Sequence, residues 1–139
     1  NNISVIILTY NEELHIERCI NSLLKITNQI FIVDSYSNDN TVSLAKELGA
    51  NVYQNPWVNY AKQLNWGIEN LPIKTQWVMR FDCDEYLTNE LIDEINQKIH
   101  SIESSVNGIY IKRRVFFMNQ WIKYGGYYPI WLLRIWRNK

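Results

Sequence analysis

Hydrophobic residues follow two alternating patterns along the first hundred positions of the chain. Residues 3–9, 29–34, 50–54 and 76–82 are short apolar runs, as expected of strands buried in a sheet. Between these runs, apolar residues return every three or four positions, which is typical of one face of a helix. Strands that alternate with helices of about 10–15 residues predict right-handed crossovers and a parallel sheet with helices on both faces.

Capping residues set the expected helix ends. Asn11 is a suitable N-cap for the first helix and Thr88 for the fourth, and Gly49 stands where a left-handed residue would end the second. The inward faces are predicted to comprise Ile16, Cys19, Ile20, Leu23 and Leu24 in the first helix, Val42, Leu44, Ala45 and Leu48 in the second, Tyr60, Ala61, Leu64 and Ile68 in the third, and Leu91, Ile92, Ile95 and Ile99 in the fourth.

The chain changes character after about residue 108. Residues 109–118 are long enough for a strand, but the aromatic-rich stretch that follows, around Gly125, Gly126 and Pro129, has no helical repeat. We expect antiparallel or irregular structure there, at one side of the sheet. The prediction is therefore one domain with two portions, an α/β portion at residues 1–103 and a basic, aromatic-rich extension at residues 104–139.

Composition limits the class of protein. A chain of 139 residues with 47% hydrophobic content can bury the core of one domain. No window approaches the roughly 18 apolar residues of a membrane span, and the N-terminus lacks a secretory pattern, so a cytoplasmic domain is expected. Cys19 and Cys83 form no C-x-x-C pair and are expected to be reduced thiols.

The net charge of zero conceals an uneven distribution. All 14 acidic residues lie at or before Glu103, and seven of the 14 basic residues follow it. This basic tail is expected to meet anions, either a substrate diphosphate, a lipid phosphate at the inner face of the membrane, or the acidic half of the chain itself. A solvated basic face is the alternative.

The most informative junction is where residues 76–81 run into Asp82, Cys83, Asp84 and Glu85. Residues two apart on an extended backbone project to the same side, so Asp82 and Asp84 could converge on Mg²⁺ or Mn²⁺. A metal that already holds phosphates would be bound in the same way. The alternative is an ordinary acidic turn before the next helix.

Polar residues also end two other predicted strands, at Thr9 and Asp34. In an open parallel sheet, ligands bind outside the carboxyl ends of the strands. A dinucleotide-binding domain would need G-x-G-x-x-G after the first strand, where this chain has Thr-Tyr-Asn-Glu-Glu, and the P-loop pattern is missing as well. The charge of a diphosphate would then be met by a cation, which the two aspartates of residues 82–84 can hold.

Three segments resemble the signatures of family 2 glycosyltransferases with the GT-A fold. They are residues 4–13 (SVIILTYNEE), 32–41 (IVDSYSNDNT) and 80–85 (RFDCDE). A closer likeness, to bacterial enzymes that build lipopolysaccharide core or capsular polysaccharide, comes from residues 124–129 (YGGYYP) and 133–137 (LRIWR). The resemblance implies a Rossmann-like, three-layer α/β/α sandwich with a mostly parallel central sheet.

The resemblance also implies roles around the nucleoside of a nucleotide-sugar donor, in which UDP is favoured. Thr9, Tyr10 and Glu12 would surround the nucleoside, with Tyr10 in contact with the base. Asp34 would accept a hydrogen bond from uracil. The alternatives are a strand end for Thr9 and Tyr10, a turn residue for Asp34 and a helix-dipole acid for Glu12.

At the diphosphate, the resemblance implies that Asp82 and Asp84 hold the ribose and a divalent metal, Mn²⁺ or Mg²⁺. Lys62 is a candidate donor-site cation, although a single Lys on a helix is usually solvated. The implied reaction is inverting transfer of a sugar to a glycan or lipid-linked acceptor, with no nucleic acid involved. The basic tail would allow peripheral association with the membrane.

The catalytic base is not identified by the sequence. No carboxylate follows Glu103, and the position after Pro129, an Asp in some relatives, is Ile130. We therefore expect the base to lie past Lys139 and this chain to be the donor-binding portion of a longer enzyme. A sugar nucleotidyltransferase is less favoured because its Gly-rich, Arg-containing first loop is missing, whereas a non-catalytic nucleotide-sugar binding module stays open.

Overall fold

The computed structural model describes residues 2–113, 116–117, 120–121 and 130–138. Their elements, in chain order, are β1 (Ile3–Thr9), α1 (Ile16–Leu23), β2 (Ile30–Asp34), α2 (Thr41–Glu47), β3 (Asn51–Gln54), α3 (Tyr60–Asn70), β4 (Trp77–Asp82), α4 (Asn89–Lys98), β5 (Gly108–Arg113), β6 (Phe116–Phe117), β7 (Gln120–Trp121) and β8 (Ile130–Arg137). Six strands form one sheet in the order β3-β2-β1-β4-β8-β5, and β6 pairs with β7.

The sheet is parallel on one side and antiparallel on the other. β1 pairs in parallel with β2 and β4, and β2 pairs in parallel with β3. β8 inserts between β4 and β5 and is antiparallel to both. The predicted α/β class, the parallel strands and the antiparallel extension are thus confirmed, while the aromatic stretch at residues 124–129 lies outside the described residues.

Two hydrophobic clusters cover the two faces of the sheet and give it three layers. Ile3, Val5 and Ile7 of β1 share a cluster with residues of α1, α2 and α4. Ile6, on the opposite face of the same strand, belongs to a cluster to which Leu64 of α3 contributes. Burial on both faces explains why β1 is almost continuously apolar.

The expected start of the first helix is wrong. Asn11 has a φ of 50° and is not a cap; α1 begins at Ile16, after a turn in which the carbonyl of Glu12 accepts from the amides of His15 and Ile16. Leu24, placed on the inward face by its spacing, is 41% exposed. Asn11 instead contacts the loop after β2, where the Asn38 amide donates to Asn11 Oδ1 at 2.8 Å.

The predicted inward face of α3 is confirmed at Leu64, which packs against the core, and is wrong at Tyr60, Ala61 and Ile68. Gln63 and Gly67 are its buried residues, whereas Tyr60 and Ile68 are exposed. A Cβ atom built on Gly67 would lie 3.4 Å from Val33 Cγ2, an ordinary contact distance, so this face of α3 packs directly on the sheet. The spacing of apolar residues does not predict this face of α3, because its two buried positions are Gly67 and the side-chain amide of Gln63.

The other caps agree with the sequence. Gly49 has a φ of 91° after α2, a conformation that glycine adopts without steric cost. The Thr88 hydroxyl accepts from the Leu91 amide at 3.2 Å and caps α4, which buries Ile92 and Ile95.

Candidate donor-binding site

The ends of β1 and β2 are joined through a buried carboxylate. Thr9 and Asp34 are register partners, and the Thr9 hydroxyl donates to Asp34 Oδ1 at 2.7 Å. The Ser37 hydroxyl donates to the same oxygen, and the Ser37 amide donates to Oδ2 at 2.8 Å. The side chain of Asp34 is fully buried and accepts from protein groups on both oxygens. In this structure, Asp34 therefore ties the two strand-end loops together.

Two non-glycine residues with positive φ shape these loops. Asn11 has a φ of 50° and Tyr36 a φ of 57°. The Asn11 amide donates to Ser37 Oγ at 2.8 Å, and the Tyr36 amide donates to Gln54 Oε1 at 2.9 Å. Such a conformation is tolerated by Asn but is unusual for Tyr, and residues held this way concentrate at functional sites.

Two tyrosine rings remain accessible next to this network. Tyr10 is 54% exposed and Tyr36 is 58% exposed. The sequence resemblance implies that Tyr10 contacts the base, whereas it assigns no role to Tyr36. Its positive φ could not be inferred from the sequence because it is imposed by contacts with β3.

Glu12 lies on the loop between β1 and α1. Its amide donates to Thr41 Oγ1 at 2.8 Å, and its carboxylate lies 3.0 Å from His15 Nδ1. The carboxylate is 30% exposed. The loop thus places Glu12 near the carboxyl edge of β1, and its side chain contacts His15.

A buried amide connects α3 to the same edge. Gln63 is 1% exposed; its Nε2 donates to Ser35 Oγ at 3.1 Å and to the Asn55 carbonyl at 3.0 Å, while its Oε1 accepts from Asn55 at 2.8 Å. Lys62, the preceding residue, is exposed on the first turn of α3. That turn approaches β4, because Arg80 Nη1 donates to the Tyr60 hydroxyl at 3.1 Å.

The acidic cluster forms a turn after β4. The strand ends at Asp82, whose carbonyl accepts from the Glu85 amide at 3.0 Å and whose amide donates to Glu85 Oε1 at 3.0 Å. Asp84 is exposed within this turn, so the premise that both aspartates lie on extended backbone is wrong. They remain neighbours, since the charge of Asp84 helps to raise the pKa of Asp82.

Arg134 of β8 reaches into this turn from the basic tail. Its guanidinium donates to both oxygens of Glu85, at 2.7 and 2.6 Å, and lies 4.0 Å from Asp82 Oδ2. Burial and the charge of Glu85 raise the pKa of Asp82, and Arg134 partly opposes that rise. For Arg134, the expectation that the tail meets the acidic half of the chain is confirmed.

Sequence reasoning missed Arg134, and Glu85 was quoted in the acidic motif without a role. The sequence does show an acidic motif and a basic tail, which indicates that ion pairs could form between them. Residue spacing alone cannot show which basic side chain pairs with which acidic one. Arg137, the other described arginine of β8, lies over the Trp77 ring at 4.2 Å and donates to the carbonyls of Val106 and Glu103.

The oxygen ligands at this turn fit a hard divalent cation. Carboxylate oxygens suit Mg²⁺ and Mn²⁺, which keep several positions for water and substrate phosphates. Within residues 2–113 and the described parts of the tail, no group of three His, Cys, Asp or Glu side chains that could hold a metal ion is found.

Both cysteines are buried free thiols, Cys83 within the acidic turn and Cys19 on α1 next to it. Cys19 Sγ of α1 lies 3.8 Å from the Asp82 carbonyl, to which it donates. The hydrogen bond with Cys83, together with burial, raises the pKa of Cys19 far above that of an ordinary thiol. Cys19 is therefore a neutral packing residue at neutral pH.

In the portion of the chain that the structure describes, no helix has the length and apolar content needed to cross a bilayer.

The chain belongs to glycosyl transferase family 2, whose sequence profile matches residues 4–136. It is 45% identical, over 93 residues, to an uncharacterized glycosyltransferase of Rickettsia typhi; the match covers 67% of this chain and 31% of that protein. The chain therefore spans about a third of the length of this relative. The family and the sheet order together define a GT-A transferase domain.

Two further similarities bear on the fold and on possible chemistry. The lipopolysaccharide core biosynthesis glycosyltransferase LpsC of Rhizobium meliloti is 27% identical over 121 residues, covering 84% of this chain and 43% of LpsC. The glucosyl-3-phosphoglycerate synthase of Mycobacterium tuberculosis, solved with Mn²⁺ and UDP, matches with a TM-score of 0.52 and 23% identity, covering 61% of this chain and 35% of that one. The structural match supports the predicted fold.

Proposed function

We propose that this chain binds the nucleotide-sugar donor of an inverting glycosyltransferase, with a UDP-sugar as the favoured donor. The observation that carries the proposal is the arrangement at the carboxyl edge of β1. Thr9 pairs in register with Asp34 on one side, and Leu8 pairs with Asp82 on the other. The two aspartates are therefore separated by two strand spacings, roughly 10 Å, which suits an elongated ligand with a base at one end and a diphosphate at the other.

The nucleoside end of the site comprises Thr9, Tyr10, Glu12 and Asp34. Tyr10 has the exposed ring needed to stack on or contact a base. Asp34 is fully buried and accepts from Thr9 and Ser37, so its contact with uracil requires the neighbouring groups that cover it to move. The unusual backbone of the adjacent loops supports a binding role for this end.

The diphosphate end comprises Asp82 and Asp84, which would hold Mn²⁺ or Mg²⁺, with Lys62 as an additional cation. A metal bound there would stabilise the charge that develops on the departing nucleoside diphosphate. Burial is the main cause of the raised pKa of Asp82, and the charges of Glu85 and Asp84 add to it; such clustered negative charge attracts a divalent cation. The Mn²⁺ and UDP recorded for the mycobacterial synthase support the same pairing here.

The proposed acceptor is a glycan or lipid-linked saccharide of the bacterial cell surface. The similarity to LpsC supports this pathway, in which the reaction would take place in the cytoplasm or at the inner face of the membrane. The tail cations Arg134 and Arg137 engage the chain itself, so any contact with lipid phosphates would fall to other residues of the tail. The catalytic base is not assigned to a residue of this chain.

Calorimetric titration of UDP, GDP and ADP, each with and without Mn²⁺, tests the proposal. We expect UDP to bind best and only with the metal. Asp84→Ala should weaken that binding at least tenfold without loss of stability, because Asp84 is exposed. Asp93→Ala, an exposed acid on α4, is the matched control. The proposal would be ruled out if the nucleotide bound equally well without Mn²⁺ and in Asp84→Ala, or if no nucleotide bound at all.

A further inference from the structure

Arg134 and Glu85 form a buried ion pair beside the acidic turn. The two guanidinium nitrogens each donate to one carboxylate oxygen, at 2.7 and 2.6 Å. Only 5% of the Arg134 side chain and 13% of the Glu85 side chain are exposed. Two parallel, charge-assisted hydrogen bonds hold both side chains in a single relative orientation.

Glu85 in turn closes the acidic turn at both ends. Its Oε1 accepts from the Asp82 amide at 3.0 Å, and its own amide donates to the Asp82 carbonyl at 3.0 Å. Asp84 lies between these two residues. The shape of the turn therefore depends on where the Glu85 carboxylate is held, and Arg134 holds it through two hydrogen bonds.

Stability alone is a weak reason for such a pair. Removing two charges from water is costly, and apolar residues of similar volume often stabilise a protein as well as a buried ion pair does. This pair is also next to the candidate metal ligands, since Arg134 Nη2 lies 4.0 Å from Asp82 Oδ2. The position of the ion pair beside Asp82, more than its contribution to stability, indicates its role.

We propose that Arg134 and Glu85 are positioning residues, which hold the turn of residues 82–85 in the shape needed to bind a divalent cation that carries a nucleoside diphosphate. Neither residue contacts the donor. Arg134 acts through Glu85, and Glu85 acts through the backbone of Asp82. The inference rests on the proposed function, because it assigns a purpose to the arrangement of Asp82 and Asp84.

The first test compares two arginines of the same strand. Arg134→Met should raise the apparent Kd for UDP in the presence of Mn²⁺ at least tenfold, with a similar rise in the Mn²⁺ concentration that gives half-saturation. Arg137→Met, which loses contacts to Trp77 and to two carbonyls, should destabilise β8 but change the Kd less than twofold. Equal Kd values for the two variants, measured on folded protein, would overturn the inference.

A charge exchange separates positioning from simple ion pairing. The Glu85→Arg, Arg134→Glu double variant keeps opposite charges together but leaves no carboxylate to accept from the Asp82 amide. We expect it to bind UDP with Mn²⁺ as weakly as Arg134→Met does. Recovery of the original Kd would mean that the pair contributes stability only.

A measurement without nucleotide or metal keeps this inference separate from the proposed function. Amide hydrogen exchange at Asp82 should be at least tenfold faster in Arg134→Met than in the unsubstituted chain, and unchanged in Arg137→Met. Unchanged exchange at Asp82 in Arg134→Met refutes the positioning pair. Failure of the unsubstituted chain to bind UDP with Mn²⁺ refutes the proposed function instead.

Discussion

Thr9 donates a hydrogen bond of 2.7 Å to the fully buried carboxylate of Asp34, 25 residues further along the chain. The bond joins the last residues of two adjacent parallel strands, at the nucleoside end of the proposed site. Because a buried carboxylate needs donors on its oxygens, this contact links the stability of the domain to the shape of its site.

Thr9→Val should therefore lower the free energy of unfolding. The substitution preserves shape but leaves Asp34 short of one donor, which costs about 1–3 kcal/mol for a buried group. Urea denaturation followed by circular dichroism measures the change. Ser43→Ala, at an exposed hydroxyl on α2 that donates to the Asn40 carbonyl, is the control and should change stability by less than about 0.5 kcal/mol. Equal stability of Thr9→Val and the unsubstituted chain would show that the bond contributes nothing.

Gly49→Ala should destabilise the domain by about 1 kcal/mol, because a Cβ atom is strained at a φ of 91°. Gly67→Ala is the contrasting substitution. Its Cβ would meet its nearest neighbours at 3.4 Å, an ordinary contact distance, and alanine favours a helix by about 1 kcal/mol. Thermal unfolding should thus lower Tm for the first variant and leave it unchanged or raised for the second. The reverse order would contradict the backbone conformation described here.

Neither thiol should react in the folded protein. Cys19 is fully buried with its pKa raised by Cys83 and by burial, and Cys83 is also buried. Because the thiolate is the reactive form, a colorimetric disulfide reagent at pH 8 should label no cysteine of the native chain and both cysteines in urea. Rapid labelling of one thiol without denaturant would show that the acidic turn opens readily.

The free energy of unfolding should depend on pH through the ionisation of Asp82. Burial and Glu85 raise its pKa above 3.8, so the folded state holds this proton more tightly than the unfolded chain does. The associated stability is present at low pH and is lost as the pH rises through the folded pKa. Asp82→Asn removes this loss and should be more stable than the unsubstituted chain at pH 7. The difference should shrink as the pH falls through the folded pKa and vanish below the unfolded pKa of 3.8. Denaturant titrations from pH 3 to pH 7 measure it, and lower stability of Asp82→Asn at pH 7 would contradict the assigned shift.

Prediction from sequence was successful where the signal is local. The bounds of β1 and the caps at Gly49 and Thr88 follow from residues close in the chain, and the structure confirms them. It failed at Asn11 and on α3, where a contact from another part of the fold replaced the local preference. The network around Gln63 has no periodic signal, because a single buried amide interrupts an otherwise apolar interface.

The sequence itself determined the order of strands and helices, since hydrophobic periods of two and 3.6 residues are properties of neighbouring positions. It also determined that Thr9, Asp34 and Asp82 lie at the ends of strands. The tertiary structure alone decided that Asp84 lies in a turn and that Arg134 pairs with Glu85, 49 residues earlier. Such pairings arise when β8 is inserted antiparallel beside β4, and no local pattern encodes which distant side chains then meet.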